Sequence, residues 1–125
     1  MDDLPALWNQ KYQEYLGITP PSDSDGVMQD IHWSAGLFGY FPTYALGSAY
    51  AAQMLHYLRK EMDVDGLIAK GDFAPITKCL EEKIHVYGSV YTPNELMEKS
   101  FGEQLNGEYF ADYLKDKFAA LYELV

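Results

Sequence analysis

The sequence predicts an all-α fold, an irregular bundle of about five to six helices. Three observations lead there. Apolar residues recur at helical spacing through most of the chain. Proline, glycine and capping residues punctuate those stretches at their ends. No segment keeps the strict apolar–polar alternation of a half-buried strand; Val86–Tyr91 comes nearest, and Gly88 and Ser89 interrupt it.

The elements follow in order. Asp3 is placed to cap a first helix whose apolar positions are Leu4, Trp8, Tyr12, Tyr15 and Leu16. Gly17 stops it, and Thr19-Pro20-Pro21 forbids its continuation. Ser22-Asp23-Ser24-Asp25-Gly26 is a polar loop of turn formers. It lacks the remaining ligand positions and closing glutamate of a calcium-binding EF-hand loop. Val27 to Phe41 is irregular and aromatic, with glycines at 36 and 39. Pro42 suits the first turn of a long helix reaching about Met62. A shorter helix covers Val64–Ala69 and ends at Gly71, and another runs from about Ala74 to Val86 before Gly88. Thr92-Pro93-Asn94-Glu95 is a capping box that opens a helix closing at Gly102. Asn106 is placed to cap the last helix, whose apolar stripe is Phe110, Leu114, Phe118, Leu121 and Val125.

The chain has 125 residues, enough for one core, and residues 1–125 read as a single helical unit. Hydrophobic residues make up 48% and charged residues 22%, a globular balance. The net charge of −10 argues against nucleic acid and against an anionic membrane surface, since only 9 basic residues are present and they are scattered. The lone Cys79 has no disulfide partner within the chain and reads as a small buried hydrophobe. Met1-Asp2-Asp3-Leu4-Pro5 has neither the basic nor the apolar region of a secretory signal, so the cytoplasm is the expected compartment.

Between Asp30 and Arg59 there is no Asp, Glu, Lys or Arg. That span takes in most of the long helix, and a surface helix needs a charged outer face. Thr43, Ser48, Gln53, His56 and the tyrosines within it rule out a membrane span, which needs about twenty apolar residues in a row. Small residues (Ala45, Gly47, Ser48, Ala49, Ala51, Ala52) would let neighbours approach from several sides. The span is therefore expected to be enclosed, either by the chain's own oligomer or by more of a longer polypeptide, and left exposed it predicts self-association as a homodimer.

Gly26-Val27-Met28-Gln29-Asp30-Ile31-His32-Trp33 carries the pattern GxxQDxHW. With its continuation Ser34-Ala35-Gly36-Leu37-Phe38-Gly39-Tyr40-Phe41-Pro42-Thr43-Tyr44-Ala45-Leu46-Gly47, it resembles the carboxypeptidase Taq family of HExxH zinc carboxypeptidases. Weaker similarity continues through Gly71-Asp72-Phe73, Ile84-His85 and Tyr113-Leu114. The resemblance implies the C-terminal part of a larger, mainly helical enzyme that removes C-terminal residues from peptides. The family's HExxH helix, its HES(G)Q segment and its arginine-bearing DxRxT motif have no counterpart here. His32, His56 and His85 lack the spacing of a zinc site, so zinc is expected in the parent enzyme and no metal on this chain alone.

The resemblance also implies site residues. An imidazole and a phenol both donate hydrogen bonds without bringing negative charge, which suits an oxyanion. His32, Tyr40 and Tyr44 are the catalytic candidates, one tyrosine as oxyanion donor and His32 as a contact to the substrate backbone or to the same oxygen. Gln29 and Asp30 are substrate-side candidates, and Asp30 could instead orient His32 through a hydrogen bond. Trp33, His56, His85, Tyr50, Tyr57, Tyr87 and Tyr113 are assigned to packing. On this reading the isolated chain is inactive. The alternatives are a separately encoded helical module that binds a peptide or partner, and one half of a split enzyme.

Overall fold

The structure, a computed structural model, describes residues 3–124. Among the described residues six α-helices form: α1 (Leu4–Leu16), α2 (Thr43–Glu61), α3 (Val64–Lys70), α4 (Ala74–Lys83), α5 (Pro93–Phe101) and α6 (Glu108–Leu121). Among the described residues there is no strand, and no helix is long and apolar enough to cross a membrane. The chain divides into two compact units, residues 1–44 and 45–125.

In the first unit, α1 ends as its sequence dictates, with Gly17 left-handed and its N–H on the carbonyl of Gln13. Asp3 stands at the N-cap, but its side chain makes no capping bond. Trp8 stacks on Tyr12 at 5.4 Å and meets the edge of Trp33 at 6.0 Å, so Trp33 does pack. The polar loop winds into a single 3-10 turn, Asp23–Asp25, capped by the Ser22 hydroxyl. Two more such turns, Val27–Gln29 and Trp33–Ala35, carry the irregular segment. Gly26 joins the first two turns under pressure from Pro20: an added Cβ would lie 3.1 Å from the Pro20 Cβ and 3.3 Å from the Ser22 carbonyl oxygen.

In the second unit the core is Leu58, Val64 and Cys79, with Leu55, Met62, Ile76 and Leu80 packed against it. Asp63 caps α3 through the Gly66 N–H. Helix α4 stops at Lys83 instead of reaching Val86, because Ile84 turns to φ −125°, ψ −61° and a 3-10 turn follows at His85–Tyr87. The Thr92–Glu95 capping box forms in full. The cap of α6 shifts by one residue: Gly107 holds the N-cap position, while the Asn106 side chain accepts the Glu108 N–H at 3.0 Å. Phe110 and Leu114 are half-buried, whereas Phe118 and Leu121 are exposed. Val125, the last residue of that stripe, lies outside the described residues, as do Met1 and Asp2.

Residues 102–107 are pinned to α2 by polar contacts. Gln53 is fully buried; its Nε2 donates to the Gln104 carbonyl at 3.0 Å and its Oε1 accepts the Asn106 N–H at 2.9 Å. Glu103 accepts from the Tyr57 and Tyr109 hydroxyls, both at 2.8 Å, and from the Asn106 amide at 3.0 Å. These three donors, Asn106 first, hold the Glu103 carboxyl below its usual range. Tyr109 and then Glu103 push the Tyr57 phenol well above its own.

Both contacts have measurable consequences. Gln53→Leu removes both hydrogen bonds, each worth about 0.5–1.5 kcal/mol. Urea denaturation should show a loss of roughly 1–3 kcal/mol, and no loss would contradict the pinning role. Glu103, with its folded pKa depressed, contributes stability that is complete above the unfolded carboxylate value and is lost as pH falls through the folded value. Glu103→Gln should therefore flatten the acid side of a melting-temperature-versus-pH curve below about pH 5. An unchanged acid side would show that the carboxylate carries no such linkage.

Candidate functional site

The first unit gathers four of the five candidate residues. Asp30 closes the turn after Gln29, and its Oδ1 accepts the His32 backbone N–H at 3.0 Å. The same oxygen lies 2.7 Å from His32 Nδ1. The Asp-x-His spacing permits both contacts, because a short carboxylate reaches the backbone two residues on. Both side chains are well sheltered, Asp30 at 8% exposure and His32 at 15%.

Beyond His32 the chain must reverse. The His32 carbonyl takes the N–H of Ala35 and of Leu37, and Gly36 sits between them at φ 74°, a conformation that strains any side chain with a Cβ. A second reversal, through Leu37 to Tyr40, and the Tyr40 carbonyl accepting from Thr43 then bring three rings back to the imidazole. The Tyr40 centroid lies 5.0 Å from that of His32, Phe41 5.5 Å and Tyr44 5.8 Å. Tyr44 meets Tyr40 and Phe41 edge-on. The histidine is thus held at its Nδ1 side by a carboxylate and bordered by two phenols.

These rings do not form a closed core. Tyr40 is 45% exposed, Phe41 55% and Tyr44 58%, and Leu37 and Phe38 beside them are exposed too. An imidazole with a fixed Nδ1 and two accessible phenols can hydrogen-bond a polar backbone laid across them.

Gln29 stands apart from this group: its Nε2 donates to the Ser24 carbonyl at 2.5 Å, closing the polar loop. Phe41 was not singled out by sequence; its place beside Pro42 in an uncharged aromatic run was the available signal. His56 packs on Tyr109 at 4.5 Å, as its assignment to packing anticipates. The donors present do not fit a zinc centre, since among the described residues no three His, Cys, Asp or Glu side chains gather where a metal could sit.

Comparison with known proteins gives the chain its relatives. Residues 1–118 match the family described as Carboxypeptidase Taq (M32) metallopeptidase. Carboxypeptidase 1 of Bacillus subtilis is 48% identical over 99% of this chain and 25% of its own length. Thermostable carboxypeptidase 1 of Pyrococcus furiosus is 44% identical over 93% of this chain and 23% of its own. The chain therefore spans about a quarter of the length of the curated relatives it matches. Among solved structures, a Pyrococcus furiosus carboxypeptidase superposes with a TM-score of 0.89 at 44% identity, covering 94% of this chain and 24% of that one. The M32 carboxypeptidase of Deinococcus radiodurans does so with 0.89 at 32% identity, covering 98% and 25%. The all-helical fold is thus that of one part of larger enzymes, and the chain belongs to the carboxypeptidase Taq (M32) metallopeptidase family.

Proposed function

We propose that this chain is the C-terminal, substrate-side portion of a zinc carboxypeptidase that removes C-terminal residues from peptides. The observation that supports it most is the pairing of Asp30 with His32 beside the exposed rings of Tyr40 and Tyr44.

Attack on a peptide carbonyl builds negative charge on its oxygen, and a donor already in place avoids the cost of reorganising solvent. Tyr40 or Tyr44 supplies that donor through its hydroxyl. His32 contacts the substrate backbone or the same oxygen. Asp30 belongs to the substrate side through the histidine it holds. Gln29, whose amide closes the loop on Ser24, serves the substrate side only by fixing the segment that leads into Asp30. The exposed apolar rings around them give an enclosed cleft its wall once the rest of an enzyme covers them. Zinc, which the family resemblance implies, has no ligand set among this chain's described residues, so its chemistry is assigned to the remainder of the enzyme.

Isothermal titration of the chain with Zn²⁺ should give no tight stoichiometric binding, and a submicromolar one-to-one isotherm would defeat the reading. Activity is tested by joining residues 1–125 to the remaining three-quarters of a relative such as the Bacillus subtilis enzyme. The assembled protein should hydrolyse peptides from the C-terminus, and His32→Ala should abolish this. Of Tyr40→Phe and Tyr44→Phe, one should lower kcat by roughly 10²–10³-fold, the effect of removing one oxyanion donor. Full activity of the His32→Ala enzyme would exclude His32 from the site.

A further inference from the structure

The contact between Asp30 and His32 constrains where the imidazole proton sits. A carboxylate that already accepts a backbone N–H is acceptor-only, so the 2.7 Å approach of its Oδ1 to Nδ1 requires the proton to lie on Nδ1. A neutral imidazole has one N–H, and with that hydrogen on Nδ1 the other nitrogen carries only a lone pair. Nε2 of a neutral His32 therefore accepts. It donates only if the ring is charged.

We propose that Asp30 is a positioning residue that fixes His32 as its Nδ1–H tautomer, so that Nε2 meets a bound peptide as an acceptor for a backbone N–H. This rests on the substrate-side reading above and divides its labour. Stabilisation of the carbonyl oxygen falls to Tyr40 or Tyr44, since a phenol is a donor whichever tautomer the imidazole takes. His32 instead registers the peptide by an amide hydrogen. That amide N–H is a donor which would otherwise be left without a partner when the cleft closes, and an unpaired buried donor is costly. The rings of Tyr40, Phe41 and Tyr44 around the imidazole keep it from turning away from the carboxylate.

The tautomer is read directly, without activity, in the ¹⁵N-labelled 125-residue chain. Long-range ¹H–¹⁵N correlation near about pH 8, above the ordinary imidazole range, reports which ring nitrogen is protonated. His56→Gln and His85→Gln variants assign the three histidines. His32 should show a protonated Nδ1 and a bare Nε2. In Asp30→Ala the pattern should relax to a mixture, moving the Nε2 signal toward the protonated position. A protonated Nε2 in the wild type, whether alone or with Nδ1, overturns the proposal, as does an unchanged spectrum in a helical Asp30→Ala variant. If that variant loses its far-ultraviolet helical signal, the wild-type spectrum decides alone. The activity of His32→Ala in the assembled enzyme tests the site independently, so a wrong tautomer and a wrong site are told apart.

Discussion

A helix uncharged over its first four turns needs protein around it, and this constraint governs the rest of the molecule. Helix α2 satisfies it over one half only. From Ala49 to Leu58 it offers Ala49, Ala52, Gln53 and Leu58 to its own unit and buries all four. From Thr43 to Ser48 it is exposed, with Leu46 at 50%. The segment leading into it behaves likewise, with Leu37, Phe38, Tyr40 and Phe41 all open. Burying a large apolar side chain is worth about 1.5–3 kcal/mol. Covering the exposed halves of Leu37, Phe38, Tyr40, Phe41 and Tyr44 is therefore worth on the order of 5 kcal/mol, comparable to the whole stability of a small domain. Contiguous exposed apolar surface is usually covered in soluble proteins. Relatives that share this fold are about four times as long, and their additional chain is a ready source of the covering protein.

Trp8 supports the same view from another direction. Its indole Nε1 is buried with no acceptor among the described residues, a defect of about 1–3 kcal/mol. An outside acceptor would remove that cost. Around it, Leu7, Tyr15 and Leu16 of α1 are more than half exposed.

Most of the fold was legible because its signals are local. The stop at Gly17, the capping box at Thr92 and the Gly102 terminus each depend on residues within a few positions, and all formed as expected. Where expectation and structure part, a neighbour in space or a single backbone torsion decided the outcome. Asn106 stands one residue before the N-cap of α6: its backbone N–H is bonded to the buried Gln53, fifty-three residues away, while its side chain still accepts the Glu108 N–H. Helix α4 ends early at a torsion of Ile84 that no residue type announces. The signature and its continuation pointed to Gln29, Asp30, His32, Tyr40 and Tyr44; the last four come together through turns at Gly36 and Leu37–Tyr40, and Gln29 stands apart. Phe41 was missed because a phenylalanine in an aromatic run looks like packing, and its contact with His32 exists only after the chain has reversed.

The order of residues within the signature has a physical logic of its own. Gly26 lets the loop from Pro20 fold closely onto it, and Gln29 ties that loop shut through Ser24. With the loop fixed, Asp30 starts from a defined place, and a two-residue step is what allows one carboxylate oxygen to hold both the backbone and the ring of His32. Shifting the histidine to the next position would take its ring and its own N–H out of that arrangement. Trp33 then anchors the following turn on Trp8, leaving the imidazole on the side where the tyrosines return. The glycine, glutamine and tryptophan thus act on the histidine through geometry alone. Such a set can be assembled in a short stretch of chain.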